Sequence, residues 1–552
     1  MAAVEAEHES SHSEPETRSP GQDPIPGERR PKDRIAHAAG LVGLLTLGSR
    51  VLGLLRDAVV AASFRKTATD AFIVAFTIPN VLRRLLAEGS LTVAFMAVFT
   101  DYRENKGEEA SRELLANTLT ALSIVLIVTT AAGMIFARPL VLLFAKGMTS
   151  AQLAEATLLT RLMFPFLITV GFVALAMGAL NTVRHFAAPA AAPMILNVLI
   201  IATILGASDM MGTVFGLPRI GSWAMGVLLG GVGQLLLQLS PLARRRLLVF
   251  PRLSLGHAGL RRVGRLMLPS LFGLAIYQIN IVLARRFASY LAVGSISYLY
   301  YAQRLIEFPI GIFAVAVATV SLPKLSGHAS AGEFEAVKDT YRYALRLVLF
   351  VMLPATAGLL ALGEPLAAVL FQRGAFDYEM ARQTAWTLSG FSLGLVAAGG
   401  VRQTAPVFFA LEDTRTPVFA SALSLSVYIV SALALYERYA TFGLALAVAL
   451  GSSANFAFLL VFLRRRLGPL GLSRIMGSLV RSAFGAVLAG GAAVGAARLG
   501  VWHLGGAAAR NYAVLALAVL AGSGTYVLSG LLLGSPEIRE LRAALRRRRG
   551  RS

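Results

Sequence analysis

The chain is 552 residues long, 56% hydrophobic and only 15% charged, with a formal net charge of +22 and a mean hydropathy of +0.66. Such a composition excludes a string of soluble domains and makes the bilayer the solvent. Cysteine is absent, which excludes a disulfide framework, a thiolate nucleophile and a Cys-based metal site.

Residues 1–35 are rich in Glu, Ser, Pro and Arg and contain no secretory apolar core, so they read as a disordered cytoplasmic tail. Apolar stretches then recur to about residue 534, each about 20 residues long, enough for a helix to cross a hydrocarbon layer of about 30 Å. The expected spans are 38–62, 70–100, 114–137, 155–181, 188–207, 221–242, 263–287, 294–322, 343–363, 384–411, 416–436, 440–463, 478–499 and 511–534, fourteen in all. The fold class is therefore an all-α polytopic membrane protein.

The Lys and Arg residues gather between these runs, which reads as topology rather than nucleic-acid binding. With the N-terminus inside, Arg244, Arg245, Arg246, Arg252, Arg261, Arg262 and Arg265 share one cytoplasmic connection and Arg464, Arg465, Arg466 and Arg474 another. The basic tail 539–552 then also lies inside, so both termini are expected in the cytoplasm.

Residues 251–262 interleave Leu253, Leu255 and Leu260 with arginines, as an amphipathic cytoplasmic linker would. A faint repeat supports two halves: Ala179-Leu180-x-x-x-Arg184 precedes Pro189, and Ala410-Leu411-x-x-x-Arg415 precedes Pro417. We thus expect an N-lobe of six helices over 36–250, a C-lobe of six over 263–466, and two further helices over 467–538.

Several spans carry charge. The first holds Arg50, Arg56 and Asp57; the second holds Asp70, Asn80, Arg83, Arg84 and Glu88, with Pro79 and Gly89 placed to bend it; the eighth holds Arg304 and Glu307. An arginine at the centre of a membrane helix costs about 2.5–3.5 kcal/mol, so this group should face a protein interior or a water-filled cavity. Arg84 with Glu88, and Arg304 with Glu307, are spaced to pair within their helices. The remaining positive charge favours an anion, and the planar guanidinium matches phosphate oxygens two at a time. The competing reading is structural, with arginines snorkelling to the interface or locked in ion pairs. Asp70 reads as the N-cap of the second span, beside Thr69. In LFQRGAF, starting at Leu370, Gly374 suggests a tight turn, and Arg373 is either a surface charge or a gate contact.

Metalloprotease, P-loop and serine-hydrolase motifs are missing, which leaves a gradient, a membrane potential or the substrate's own concentration difference as the energy source. The seven histidines fall in the tail or near helix ends and suggest no metal cluster; the seventh span has no carboxylate for a sodium site.

At SRVLGLLRDAVVAASF, ATDAFIVAFTIPNVLRRLLAEGSLTVAF, YYAQRLIEFPIGIFAVAVATVSLP, LFQRGAF and ALEDTRTPV the chain resembles the lipid II flippases of the MurJ (MviN) type, within the multidrug, oligosaccharidyl-lipid and polysaccharide exporter superfamily. The resemblance implies a transporter, not an enzyme, that moves undecaprenyl-diphosphate-linked peptidoglycan precursor between leaflets of the bacterial inner membrane. It implies no cofactor, coupling to a membrane potential or a monovalent ion, and lipid II, membrane lipids and cell-wall synthesis proteins as partners. Arg50, Arg56, Arg83, Arg84 and Arg304 then stand as substrate-binding residues, with Asp57, Asp70, Asn80, Glu88, Gly89 and Glu307 in supporting or gating roles. The last two helices would form a groove for the lipid tail. Gln303 departs from the acid common in the family and makes the cavity more positive. The rival readings are an exporter of another polyprenyl-linked glycan or a drug, and a membrane glycosyltransferase.

Overall fold

The computed structural model describes residues 31–86, 90–252, 254 and 256–540. The first half contains α1 (Pro31–Ser63), α2 (Lys66–Leu86), α3 (Ser90–Asn105), α4 (Gly107–Ile135), α5 (Ala137–Ala145), α6 (Ser150–Met163), α7 (Phe166–Thr182), α8 (Ala187–Thr213) and α9 (Gly221–Arg244). The second contains α10 (Ala258–Ser289), α11 (Ser295–Pro309), α12 (Val315–Ser330), α13 (Phe334–Phe371), α14 (Tyr378–Ser392), α15 (Leu395–Ala410) and α16 (Arg415–Leu467), followed by α17 (Leu472–Ala497) and α18 (Ala509–Leu532). Among the described residues there is no strand, as expected where lipid offers the backbone no hydrogen bonds.

Among the described residues, every segment expected to span is helical, but the spans are less regular than hydropathy suggests. The fourth is split at Phe164-Pro165 into α6 and α7, bent by 42°, and the tenth at Leu393-Gly394 into α14 and α15, bent by 44°. The eleventh and twelfth are two arms of α16, which turns at Ala440 (φ 47°, ψ −127°). Eight helices among the described residues are long and apolar enough to cross a membrane, or ten when each bent pair counts as one span. The count of fourteen thus rests on hydropathy and not on this criterion. The bend expected at Gly89 and the Arg84–Glu88 pair involve residues 87–89, outside the described ones.

The faint repeat has a backbone counterpart. Left-handed residues recur roughly 225 positions apart, at Gly107 and Gly332, Arg184 and Glu412, Gly216 and Ala440, and Arg246 and Gly468. Corresponding helices therefore stop at corresponding turns. Within the linker expected over 251–262, the chain is irregular at Pro251, Arg252 and Ser254, and helix begins at Ala258. There the His257 side chain accepts the Leu260 amide as an N-cap, and Asn117 accepts the Ser254 amide at 2.6 Å, pinning the segment against α4.

Apolar cores differ between the ends of the bundle. At one end a cluster joins Ala58 and Ala61 to Tyr298, Tyr301, Phe371 and Phe376, and a second joins Ala71, Val74 and Ile78 to Leu299, Tyr428 and Leu444. Both mix the two halves. At the other end Phe95, Phe99, Leu114 and Leu175 form a core whose only second-half members come from the start of α10, while Leu325, Tyr341, Phe408 and Leu459 form another. Those two share no residue.

Candidate functional site

Asp57, buried in the last two turns of α1, organises the charged residues. Its Oδ1 accepts hydrogen bonds from Arg56 Nη2 (2.7 Å), Arg56 Nε (3.0 Å) and the Tyr300 hydroxyl (2.9 Å). Its Oδ2 lies 3.2 Å from Arg304 Nε in an ion pair. One carboxylate of the first half thereby ties down two residues of α11. Arg304 also donates to Tyr300 and pairs with Glu307 at 3.2 Å, the pairing expected from their spacing, while Gln303 donates to the other Glu307 oxygen at 3.1 Å. Arg56 reaches farther, to Asn197 Oδ1 of α8 at 3.0 Å, and Asn197 in turn donates to the Ser49 carbonyl.

This cluster opens on a cleft lined by Arg56, Asn80 and Arg84 from the first half and by Arg285, Tyr300, Gln303, Arg304 and Glu307 from the second. Among the described residues, four guanidinium groups face one lining carboxylate, with Asp57 behind them, a positive excess. A second cavity continues past Arg285, Gln303 and Glu307 to Asn280, Arg402, Tyr428 and Ser452. Low-dielectric walls strengthen the attraction of such a site for an anion.

Not every expected arginine joins the cleft lining. Arg83 spends Nε on Asn80 Oδ1 at 2.9 Å. Arg50 lies farther along α1 with its guanidinium against Gly311, where a Cβ would fall 1.9 Å from Nη1. Gly311 belongs to a π-helical turn, Ile310–Ala314, which follows Pro309 and joins α11 to α12; such turns widen a helix locally. Glu88 and Gly89 lie outside the described residues.

Arg285 and Tyr300 are the residues the sequence reading missed. Arg285 falls close to the end of its apolar run, where an arginine looks like an interface anchor; α10 extends past it to Ser289. Its Nε is buried without a hydrogen-bond partner, at the junction of the two cavities. The run Tyr298, Tyr300, Tyr301 ahead of Arg304 was the available signal for Tyr300.

Asp70 requires a correction. Helix α2 starts at Lys66, so Asp70 sits inside it and caps nothing of its own. Fully buried, it accepts the amides of Gly294 (2.6 Å) and Ser297 (2.8 Å) and the Ser297 hydroxyl (2.6 Å). It is the anionic cap of α11, supplied from the opposite half of the chain, where the helix dipole favours negative charge. Nearby the Ala375 amide donates to the Ala62 carbonyl at 2.9 Å, and the Gly147 amide to Ser289 Oγ at 3.1 Å. Gly374 has φ +57°, and a Cβ there would lie 2.3 Å from the Ala62 carbonyl oxygen, so only glycine allows that approach. Arg373 folds back onto the Val369 carbonyl, leaving the cross-half contact to its neighbours. These bonds seal one end of the bundle. The opposite end bears Arg244–Arg246 and Arg464–Arg466.

An apolar groove lies between α13, α17 and α18, lined by Pro354, Leu359, Leu362, Ala489, Ala493, Gly522 and Tyr526 and reaching Pro309 at the end of α11. Its helices are fastened at the basic end, where buried Glu537 accepts Ser478 Oγ and Ser535 Oγ at 2.7 Å each and pairs with Arg346 of α13 at 2.9 Å. Among the described residues no group of three or more His, Asp and Glu side chains could hold a metal ion.

A family model described as "Lipid II flippase MurJ" matches residues 60–510. The "Probable lipid II flippase MurJ" of Vibrio cholerae is 35% identical over 436 residues, 77% of this chain and 82% of that protein. The "Lipid II flippase MurJ" of Burkholderia cenocepacia is 35% identical over 435 residues, 76% of this chain and 82% of its own length. Among solved structures, a lipid II flippase MurJ in an inward closed conformation superposes with a TM-score of 0.75 at 24% identity, covering 91% of this chain and 99% of that one. An inward-facing multidrug transporter of the MATE family superposes with a TM-score of 0.65 at 15% identity, covering 77% and 96%.

Proposed function

Because the chain belongs to the MurJ family, we propose that it is a lipid II flippase of the bacterial inner membrane, carrying the diphosphate-linked headgroup through the arginine-lined cleft by alternating access. The observation that carries this reading is the convergence of Arg56, Arg84, Arg285 and Arg304 from both halves on one cleft that holds few carboxylates. Guanidinium groups bind diphosphate oxygens through short, charge-assisted hydrogen bonds and stay charged at any physiological pH. A drug exporter for cations would need the opposite sign.

The cluster around Asp57 gives the site its responsiveness. Without substrate, Arg56 and Arg304 share one carboxylate; a diphosphate offers the same two side chains a stronger partner and so loosens the tie between α1 and α11. A ligand moves a conformational equilibrium only by binding its two states unequally, and this exchange of partners supplies the difference. Arg50, Arg83 and Asn80 border the pathway, and Asp70 acts as the gate element at the sealed end. The groove along α13, α17 and α18 holds the polyprenyl chain while the headgroup crosses. Fourteen spans with both termini cytoplasmic put the basic loops inside, in keeping with the positive-inside bias. Coupling is to the membrane potential, a monovalent ion or the substrate's own concentration difference, since the sequence carries no nucleotide-binding motif.

The test is to deplete the native precursor flippase of a bacterial host, supply this chain or its Arg304→Ala form, and measure lipid II exposed on the outer leaflet. Exposure with the wild type and its loss with a normally abundant Arg304→Ala protein is the expected result. No exposure from a well-inserted wild type would point to another polyprenyl-linked glycan.

A further inference from the structure

Away from both the cleft and the groove, a crevice of about 570 Å³ opens at the sealed end of the bundle. The outer turns of α13 form its floor, the first turns of α14 one wall, and the end of α17 with the 3-10 turn Trp502–Ala507 the other. It belongs to a different face of α13 from the groove: Leu360, Ala361 and Glu364 line the crevice, whereas Leu359, Leu362 and Leu366 line the groove. The volume suits a small polar headgroup.

Its chemistry is that of a lipid–water interface. Arg382 and Arg498 both line it; Arg382 pairs with Glu379 at 3.2 Å, and Arg498 makes no ion pair among the described residues. The one lining carboxylate, Glu364, already accepts the Tyr378 hydroxyl. Two tryptophans frame the opening. Trp502 is held by its indole N–H on the Ala497 carbonyl at 3.0 Å, and Trp386, half exposed, stacks on Phe442 at 4.3 Å. Tryptophans fixed in this way mark the headgroup level of a bilayer. Below them Leu360 and Val494 stay exposed on the rim, at 42% and 39%, a surface suited to acyl chains.

We propose that this crevice binds the glycerophosphate headgroup of an anionic phospholipid from the leaflet at the sealed end, with Arg382 and Arg498 on the phosphate. The ligand combines an anion with flanking hydrocarbon, and the crevice presents two guanidiniums and an apolar rim. Bound there, the lipid bridges α14 and α17, both of which pack on α13. The proposal is independent of what the central cleft transports.

The experiment is native mass spectrometry of the purified full chain, titrated with phosphatidylglycerol or phosphatidylcholine. The expected result is one phosphatidylglycerol retained about tenfold more strongly than phosphatidylcholine, and a fall to parity in an Arg382→Gln/Arg498→Gln double variant, as loss of charge-assisted hydrogen bonds predicts. Arg498→Glu, a single change at an exposed helix end, gives a second reading with less risk to folding and should reverse the preference. Undiminished phosphatidylglycerol retention in a folded variant would overturn the proposal. So would displacement of the lipid by millimolar inorganic phosphate, which would make the crevice a site for the free anion.

Discussion

The two ends of the bundle are built on different plans. At the sealed end, polar bonds cross between the halves: Asp70 caps α11, Ala62 accepts the Ala375 amide, and Ser289 accepts the Gly147 amide. The cores beneath them take residues from both halves. At the basic end each half keeps its own core and its own fastenings, such as the Arg466–Asp413 pair at 2.8 Å, with α10 the element that reaches across. The sealed end thus closes by a few polar bonds laid over apolar cores shared between the halves, whereas the basic end lacks such a shared core. The charge cluster around Asp57 lies just beneath the seal, where binding of an anion can act on it.

The largest effect should come from the cluster that links the cleft to the seal. Asp57→Asn leaves Arg56 and Arg304 facing each other without their shared anion, at a cost of about 3–5 kcal/mol for breaking a buried pair. Lipid II exposure should fall about a hundredfold while the protein still inserts; wild-type exposure would show that the cluster is only structural. Next comes Asp70→Asn, which removes the charged cap of α11 and weakens the seal by about 1–2 kcal/mol. The checking measurement is labelling of an introduced Ala375→Cys by a membrane-impermeant maleimide, expected to rise roughly tenfold by the same free-energy difference. Unchanged labelling would separate Asp70 from gating. Gly311→Ala forces Arg50 off the π-helical turn, and overpacking of this kind costs about 1–3 kcal/mol, so transport should drop severalfold at normal abundance. The smallest effect belongs to the basic end.

There Asp413 accepts the amides of Arg415 and Thr416 and the Thr416 hydroxyl at the start of α16. Burial alone would raise its pKa, but these hydrogen bonds and Arg466 hold it below the usual carboxylate range. Asp413→Ala should cost about 1 kcal/mol, seen as a lower melting temperature, with transport close to wild type. A loss of transport as large as that of Asp57→Asn would erase the distinction between the ends.

The sequence shows the helices, the charged spans and the Arg304–Glu307 pair because each follows from local periodicity or spacing. What it hides is long range. Asp70 looks like a cap in sequence and is one, but for a helix more than two hundred residues away. Arg285 looks like an anchor because the edge of an apolar run does not mark the end of a helix. Residues 251–262 have the composition of a surface helix, yet His257 starts the helix late and Asn117 pins the segment before it. Bends at Pro165 and Gly394 leave hydropathy unchanged, so each pair of short helices reads as one span.

Since the chain has no cysteine of its own, the seal can be tested directly with an Ala62→Cys/Ala375→Cys protein. A backbone hydrogen bond of 2.9 Å joins these two positions, bringing them within reach of a disulfide. The account predicts that oxidation stops lipid II exposure and that reduction restores it. Undiminished exposure with the sealed end covalently locked would contradict alternating access through this cleft.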